Sequence, residues 1–191
     1  MKKIILTSLA LITISFANAQ ESKFYIGVSA GLATGGGVIS EGLDSNGLNL
    51  GFNSGFRFSE SWGATLNLTS SGFGVKDDSS SSFGFAAFSV GPMYTVSLGD
   101  KLSLDLKPQY AFSVVGLYKF DNYADYTAKG SGFVVGSSLN LGTTKGFKLS
   151  FNAEYTAASF KTVESDAGTY DIDEDNKFNS FVVGLGLRYN F

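Results

Sequence analysis

The chain has 191 residues, of which only 16% are charged and 24 are Gly; it has no Cys and no His, and its formal net charge is −3. The length fits a single domain with a sizeable core. The missing residue types exclude a disulfide framework, a thiolate site and the commonest acid–base and metal-binding side chain. The mild negative balance excludes a nucleic-acid binder held by basic charge. The first element is an address rather than a structure. Lys2 and Lys3 precede an apolar run from Ile4 to Phe16, and Ala17-Asn18-Ala19 has the small-x-small form of a cleavage site. The run is broken by Thr7, Ser8, Thr13 and Ser15 and falls short of the roughly 20 apolar residues that span a bilayer as a helix. Residues 1–19 are therefore expected to be a cleaved secretory signal peptide, with residues 20–191 as the mature domain. No Cys follows the site, which excludes a lipoprotein.

From Lys23 onward one pattern repeats: large apolar residues at every second position, with small or polar residues between them. That period of two belongs to strands with one greasy face and one polar face. Phe24, Ile26, Val28, Ala30 and Leu32 mark the first strand, and a Gly-rich stretch over 34–47 follows. The second runs from Leu48 to Phe58, and Ser59-Glu60-Ser61 leads directly into a third with Trp62, Ala64, Leu66 and Leu68. The polar run Lys76–Ser82 is a loop by composition. The fourth strand spans Phe83–Val96. Phe83 and Phe85 have the opposite parity to Phe88, Val90, Tyr94 and Val96, which predicts a bulge or an irregular strand start there, and Pro92 on the apolar face has no evident reason. A tight turn at Leu98–Lys101 precedes a fifth strand from Leu102 to Phe112, whose polar face holds Asp105 and Lys107. Residues 116–131 are expected to be an aromatic loop with Tyr118, Phe120, Tyr123 and Tyr126. The sixth strand, Gly132–Leu141, turns at Thr143–Gly146 into the seventh, Phe147–Thr156, and an acidic loop over 159–177 leads to the last. In that last strand Phe181, Val183, Leu185, Leu187, Tyr189 and Phe191 alternate with Val182, Gly184, Gly186, Arg188 and Asn190.

Eight strands joined by alternating long and short connections, with no helical period and no linker, give an all-β chain. A soluble sandwich would carry Lys, Glu, Arg and Asp on its polar face. Here that face is mainly Gly, Ser, Asn and Thr, suited to the narrow interior of an eight-stranded barrel. Aromatics gather on the greasy face beside the tight turns and termini: Phe24, Phe58, Trp62, Tyr94, Phe147, Tyr189 and Phe191. They form the girdle expected where a barrel meets a membrane interface. The predicted fold is an eight-stranded antiparallel transmembrane up-and-down β-barrel. The closing strand, with its terminal aromatic, resembles that of bacterial outer-membrane barrels. The whole mature chain is similar to the small OmpA/OmpX-like, porin-family barrels, with OmpW-like members as the next resemblance. The resemblance implies a Gram-negative outer membrane, contact with its lipid and lipopolysaccharide, and recognition of the last strand by the barrel-assembly machinery. It also implies both termini in the periplasm and a monomer.

The same resemblance argues against catalysis, because the small-barrel palmitoyl transferases, lipid A deacylases and omptin proteases use a His and this chain has none. No cofactor or metal is expected. Asp171-Ile172-Asp173-Glu174-Asp175-Asn176 begins like a calcium loop but carries Asn176 where Gly is required and Val182 where Glu is required. A solvated acidic loop is the stronger reading, and a weak divalent site bridging lipopolysaccharide phosphates is the other. The aromatic loop is either an interaction surface or an upper aromatic belt. Arg57, Asp105, Lys107, Lys148, Glu154 and Arg188 all fall on the polar face. Buried charges cannot stay unpaired, so these six are expected to plug the lumen with a polar network, the alternative being that they reach out to periplasmic water. A plug leaves a structural or surface role to the loops. An open basic throat makes a narrow channel for small or apolar solutes.

Overall fold

A computed structural model describes residues 24–37, 42–76, 78–119, 125–165 and 168–191. The expected signal peptide lies outside them, as do Phe120 and Tyr123 and the side chains of residues 173–175. Eight strands follow one another: β1 (Phe24–Gly36), β2 (Leu43–Arg57), β3 (Trp62–Val75), β4 (Asp78–Ser97), β5 (Leu102–Lys119), β6 (Tyr126–Gly142), β7 (Gly146–Ser165) and β8 (Gly168–Asn190). Each pairs antiparallel with its neighbours, and β1 pairs with β8 from Tyr25↔Asn190 to Gly36↔Asn179, closing the barrel. Closure matters because it leaves no bare sheet edge, and a hydrocarbon surrounding demands that backbone N–H and C=O groups be paired.

Burial is inverted relative to a water-soluble protein. Leu48 and Leu50 are 72% and 68% exposed, while Asp105 is wholly buried. The period of two therefore sends the large apolar side chains out to lipid and the small polar ones inward. The barrel tolerates close backbone approach only where its interior lacks Cβ atoms. Gly31 and Gly184 sit opposite each other on the closing seam, and a Cβ on either would strike the facing carbonyl of Val183 or Ala30.

The strands are longer than the alternation indicates. They run from 13 residues in β1 to 23 in β8, whereas about 9–11 tilted residues cross a bilayer. The segments expected as loops over 76–82, 116–131 and 159–177 are mostly strand, and β2 already begins at Leu43. The pattern was hidden by register shifts, which put two consecutive residues on one face and reverse the parity beyond them. They occur at Leu43/Gly47, Gly74/Val75, Ala111/Val114, Lys129/Gly130 and Phe160/Thr162.

No bulge lies at Phe83 and Phe85 themselves, but β4 starts irregularly just before them: Gly74 faces Ser82 and Val75 faces Asp78. Phe83 and Phe85 point inward, in step with Ala87, Ser89, Met93 and Thr95 of the same strand. A second irregularity lies on the partner: Phe88 faces Ser113 and Ser89 faces Ala111, so β5 carries the extra residue. Pro92 also finds its reason. The β4–β5 partners stop at Val90↔Tyr110 and resume at Tyr94↔Leu106, which sets Pro92 across from Pro108. The chain's two prolines thus share one gap in one ladder rather than breaking two.

Leu185 tests the lipid face. It is half exposed, between Ala30 and Phe151 on the flanking strands. It lies midway along the run from Phe191 to Phe181, ten residues that rise about 25 Å at about 3.3 Å each and a tilt near 40°. Leu185→Arg is expected to lower stability by about 2–4 kcal/mol in unfolding titrations in lipid vesicles. No loss would mean that this face is not in hydrocarbon.

Candidate functional site

The inward positions form three layers from the short-turn end upward. The lowest is built around Asp105 on β5. Its carboxylate accepts hydrogen bonds from Arg188 Nη1 at 2.5 Å, Thr95 Oγ1 at 2.7 Å and Asn140 Nδ2 at 3.0 Å, and Arg57 Nη2 stands 3.5 Å away. Arg188 in turn donates from Nε to Asn190 Oδ1 at 2.8 Å and lies 3.4 Å over the Tyr25 ring. A guanidinium held by a carboxylate, an amide and an aromatic face has its charge met on three sides. Tyr25 shares a hydrogen bond of 2.9 Å with Thr65. Six strands, β1, β2, β4, β5, β6 and β8, thereby converge on one buried anion or its nearest cation. Lys148 also faces inward at this end, opposite Arg188, without joining these bonds.

The middle layer is uncharged but for one separated pair. Lys107 Nζ donates to Ser138 Oγ at 2.7 Å, and Ser138 donates to Asn152 Oδ1 at 2.6 Å. Glu154 accepts from Asn67 Nδ2 at 2.6 Å. Glu154 is thus held by an amide. A cavity of about 30 Å³ lies among Lys107, Asn67, Asn152 and Glu154, room for roughly two waters. Above it Asn49 donates to Thr69 and Ser71 at 2.8 and 2.9 Å, and Ser89 donates to Gln109 at 3.1 Å.

The top layer is apolar, which sequence reasoning missed. Phe83, Phe85, Phe160 and Phe178 are wholly buried and Phe73 nearly so. Phe178 stands 4.8 Å from Phe85, 5.3 Å from Phe83 and 5.9 Å from Phe73, centroid to centroid. The signal was present: all five occupy positions of opposite parity to the lipid-facing residues of their own strands. Tyr118 completes the layer at 4.6 Å from Phe83, and burial pushes its phenol up to about 12. Tyr126, its cross-strand neighbour, is exposed. The expected aromatic loop is therefore split between the plug and the surface.

Outside, the seven girdle aromatics are all exposed around the short-turn end. Phe24–Phe191, Trp62–Tyr94, Phe147–Tyr189 and Tyr189–Phe191 make ring contacts of 5.5, 4.9, 4.9 and 4.9 Å. A second belt of Phe88, Phe112, Tyr110, Phe133, Tyr155 and Phe181 crosses β4 to β8 higher up. Among the described residues no three carboxylates converge as a metal site.

The model of the outer membrane protein beta-barrel domain matches residues 4–191. The chain belongs to this family. Membership puts it in the outer membrane, with the lipid and lipopolysaccharide of that membrane around it. No curated protein sequence matches. Among solved structures, Neisserial surface protein A is similar with a TM-score of 0.68 at 15% identity, over 91% of this chain and 100% of that one. Ail, the attachment invasion locus protein of Yersinia pestis, gives 0.53 at 14%, over 89% and 100%. The N-terminal barrel domain of Pseudomonas aeruginosa OprF gives 0.53 at 12%, over 90% and 100%. At such identities the likeness is one of fold. The family's small outer-membrane barrels share this architecture, and their tasks differ.

Proposed function

We propose that the protein is a non-catalytic outer-membrane barrel, sealed along its axis, whose work is done by the part that stands beyond the bilayer. The observation that carries this is the stack of a charged network, a polar layer and a phenylalanine plug in one lumen. A solute would have to break the Asp105 bonds and part the rings of Phe83 and Phe178 to pass. What remains available is the extension of β4 to β8 above the upper aromatic belt, held rigid by the plug inside it. Two structural relatives are a surface protein and an attachment invasion locus protein, and one Ail structure contains the heparin analogue sucrose octasulfate. A surface-interaction role for this chain agrees with them.

In this reading the short turns and both termini face the periplasm, the barrel is a monomer, and the assembly machinery takes hold of β8. Protease applied to intact cells is expected to cut within 159–177 or 116–131 and to spare Leu98–Lys101. The reverse pattern would invert the orientation. The sealed lumen is tested in planar bilayers. Purified protein is expected to give no steady single-channel current, and sustained open levels would overturn the proposal. A narrow channel for small or apolar solutes is the second reading. The cavity beside Lys107 and Glu154 favours it, because it is unfilled space between two opposite charges inside the lumen.

A further inference from the structure

The lowest inward layer carries more positive charge than it can pair. Arg57, Lys148 and Arg188 all point into the lumen there, and among the described residues Asp105 is the layer's one carboxylate. Asp105 accepts from Arg188, Thr95 and Asn140. Arg57 stays 3.5 Å from it, and the buried Nε and Nη2 of Arg57 have no hydrogen-bond partner. Lys148 is 6% exposed and faces Arg188 directly across β7–β8, where opposed Cβ atoms stand about 4.5–5.5 Å apart and like charges repel. Its charge also reaches those of Arg57 and Asp105.

Nothing nearby removes the imbalance. In the short turns Glu60 and Asp100 are offset by Lys101 and Lys145, and all four are exposed to water. In the layer above, Lys107 and Glu154 are neutral as a pair. Three cations against one anion leave two positive charges over, and an apolar-walled interior does not hold such a surplus without a counter-ion. Charge of one sign inside low-dielectric walls also concentrates ions of the other sign. Ser103, two residues below Asp105 on β5, adds a buried hydroxyl without a partner. Arg57 is the last residue of β2 and 17% of its side chain is exposed, so the layer is within reach of water at the short-turn mouth.

We propose that this mouth of the barrel is a binding site for a small tetrahedral dianion of the phosphate class. Arg57 offers Nε and Nη2 as a pair of donors, Lys148 supplies a point charge, and Ser103 donates its hydroxyl. A dianion cancels the surplus, whereas chloride leaves half of it. The site lies inside the wall and lipid lies outside it, so the ligand is a free anion rather than a headgroup. In the orientation proposed above the anion comes from the periplasm. Binding itself depends neither on that orientation nor on whether the lumen conducts.

Calorimetric titration of inorganic phosphate into the detergent-solubilised barrel tests the site, with chloride at equal ionic strength as the control. Wild-type protein is expected to bind one phosphate, or one sulfate in its place. Phosphate is also expected to raise the temperature at which the folded band is lost on gels. In K148Q the affinity is expected to fall at least about tenfold. Without phosphate that variant is expected to melt no lower than wild type, because a repelling charge is gone. Ser103→Ala keeps every charge and is expected to bind about fivefold more weakly, which tests the site even if K148Q does not fold. K129Q, on the outer face, is expected to bind as wild type does. An equal response to chloride would reduce the effect to screening and overturn the proposal. So would wild-type affinity in K148Q or in Ser103→Ala. Displacement of phosphate by phosphatidic acid in the same detergent would give the site to a lipid headgroup and overturn the free anion.

Discussion

Replacing Asp105 with Ala is expected to lower the unfolding free energy by about 3–5 kcal/mol, because it removes the one anion beside two inward guanidiniums. Asp105 is wholly buried and Arg188 nearly so, and the two form an ion pair inside the lumen. Thr95 and Asn140 lose an acceptor in the same step. The sign of the effect separates a network from an accident. If Arg188 and Arg57 merely reached toward bulk water, losing Asp105 would cost what an exposed pair costs, about 0–1 kcal/mol. Denaturant titration in lipid vesicles distinguishes the two, and a loss under about 1 kcal/mol would dissolve the network. Arg188→Met in the Asp105→Ala background should recover much of the loss, since the more deeply buried of the two cations is then gone.

Phe178→Ala is expected to cost a similar amount, about 3–5 kcal/mol, by a different route. Its ring contacts Phe73, Phe83 and Phe85, all buried, so truncation leaves a cavity that rigid strands cannot collapse around. Phe178→Leu should cost less than about 1.5 kcal/mol, since it keeps most of the volume. The readout that singles out the plug is local: hydrogen exchange is expected to quicken in the upper parts of β3, β4 and β8 while the amides around Asp105 stay protected. Uniform quickening, or a loss under about 1 kcal/mol, would show that the aromatic layer is not a separate packed unit.

Most of the fold was legible because a barrel in lipid writes its two faces into alternate residues. Trp62 to Leu68 and Phe181 to Phe191 needed only that period, and the girdle aromatics followed from it. The upper barrel was illegible for the same reason. Its inward residues Phe73, Phe83, Phe85, Phe160 and Phe178 are as apolar as the outward ones, so face and hydrophobicity no longer correlate. Bulges at Phe112–Ser113 and at Lys161 also reverse the count partway up the strand. The six charged lumen positions could be placed on a face from parity, but their partners could not. Asp105 with Arg188 and Glu154 with Asn67 are matches across the barrel, set by strand tilt and stagger, which no single strand records.

The β1–β8 seam has a consequence for the order of events in folding. It joins Tyr25 to Asn190 and Leu32 to Val183, the first and last strands of the sheet. Such a topology places its most distant contacts at the end of the reaction, where chain entropy makes them slow. Until they form, β1 and β8 each offer a bare row of amides and carbonyls, able to recruit any strand that drifts past. The partly built sheet is therefore the hazardous species, and its lifetime is governed by how quickly two glycines, Gly31 and Gly184, come face to face.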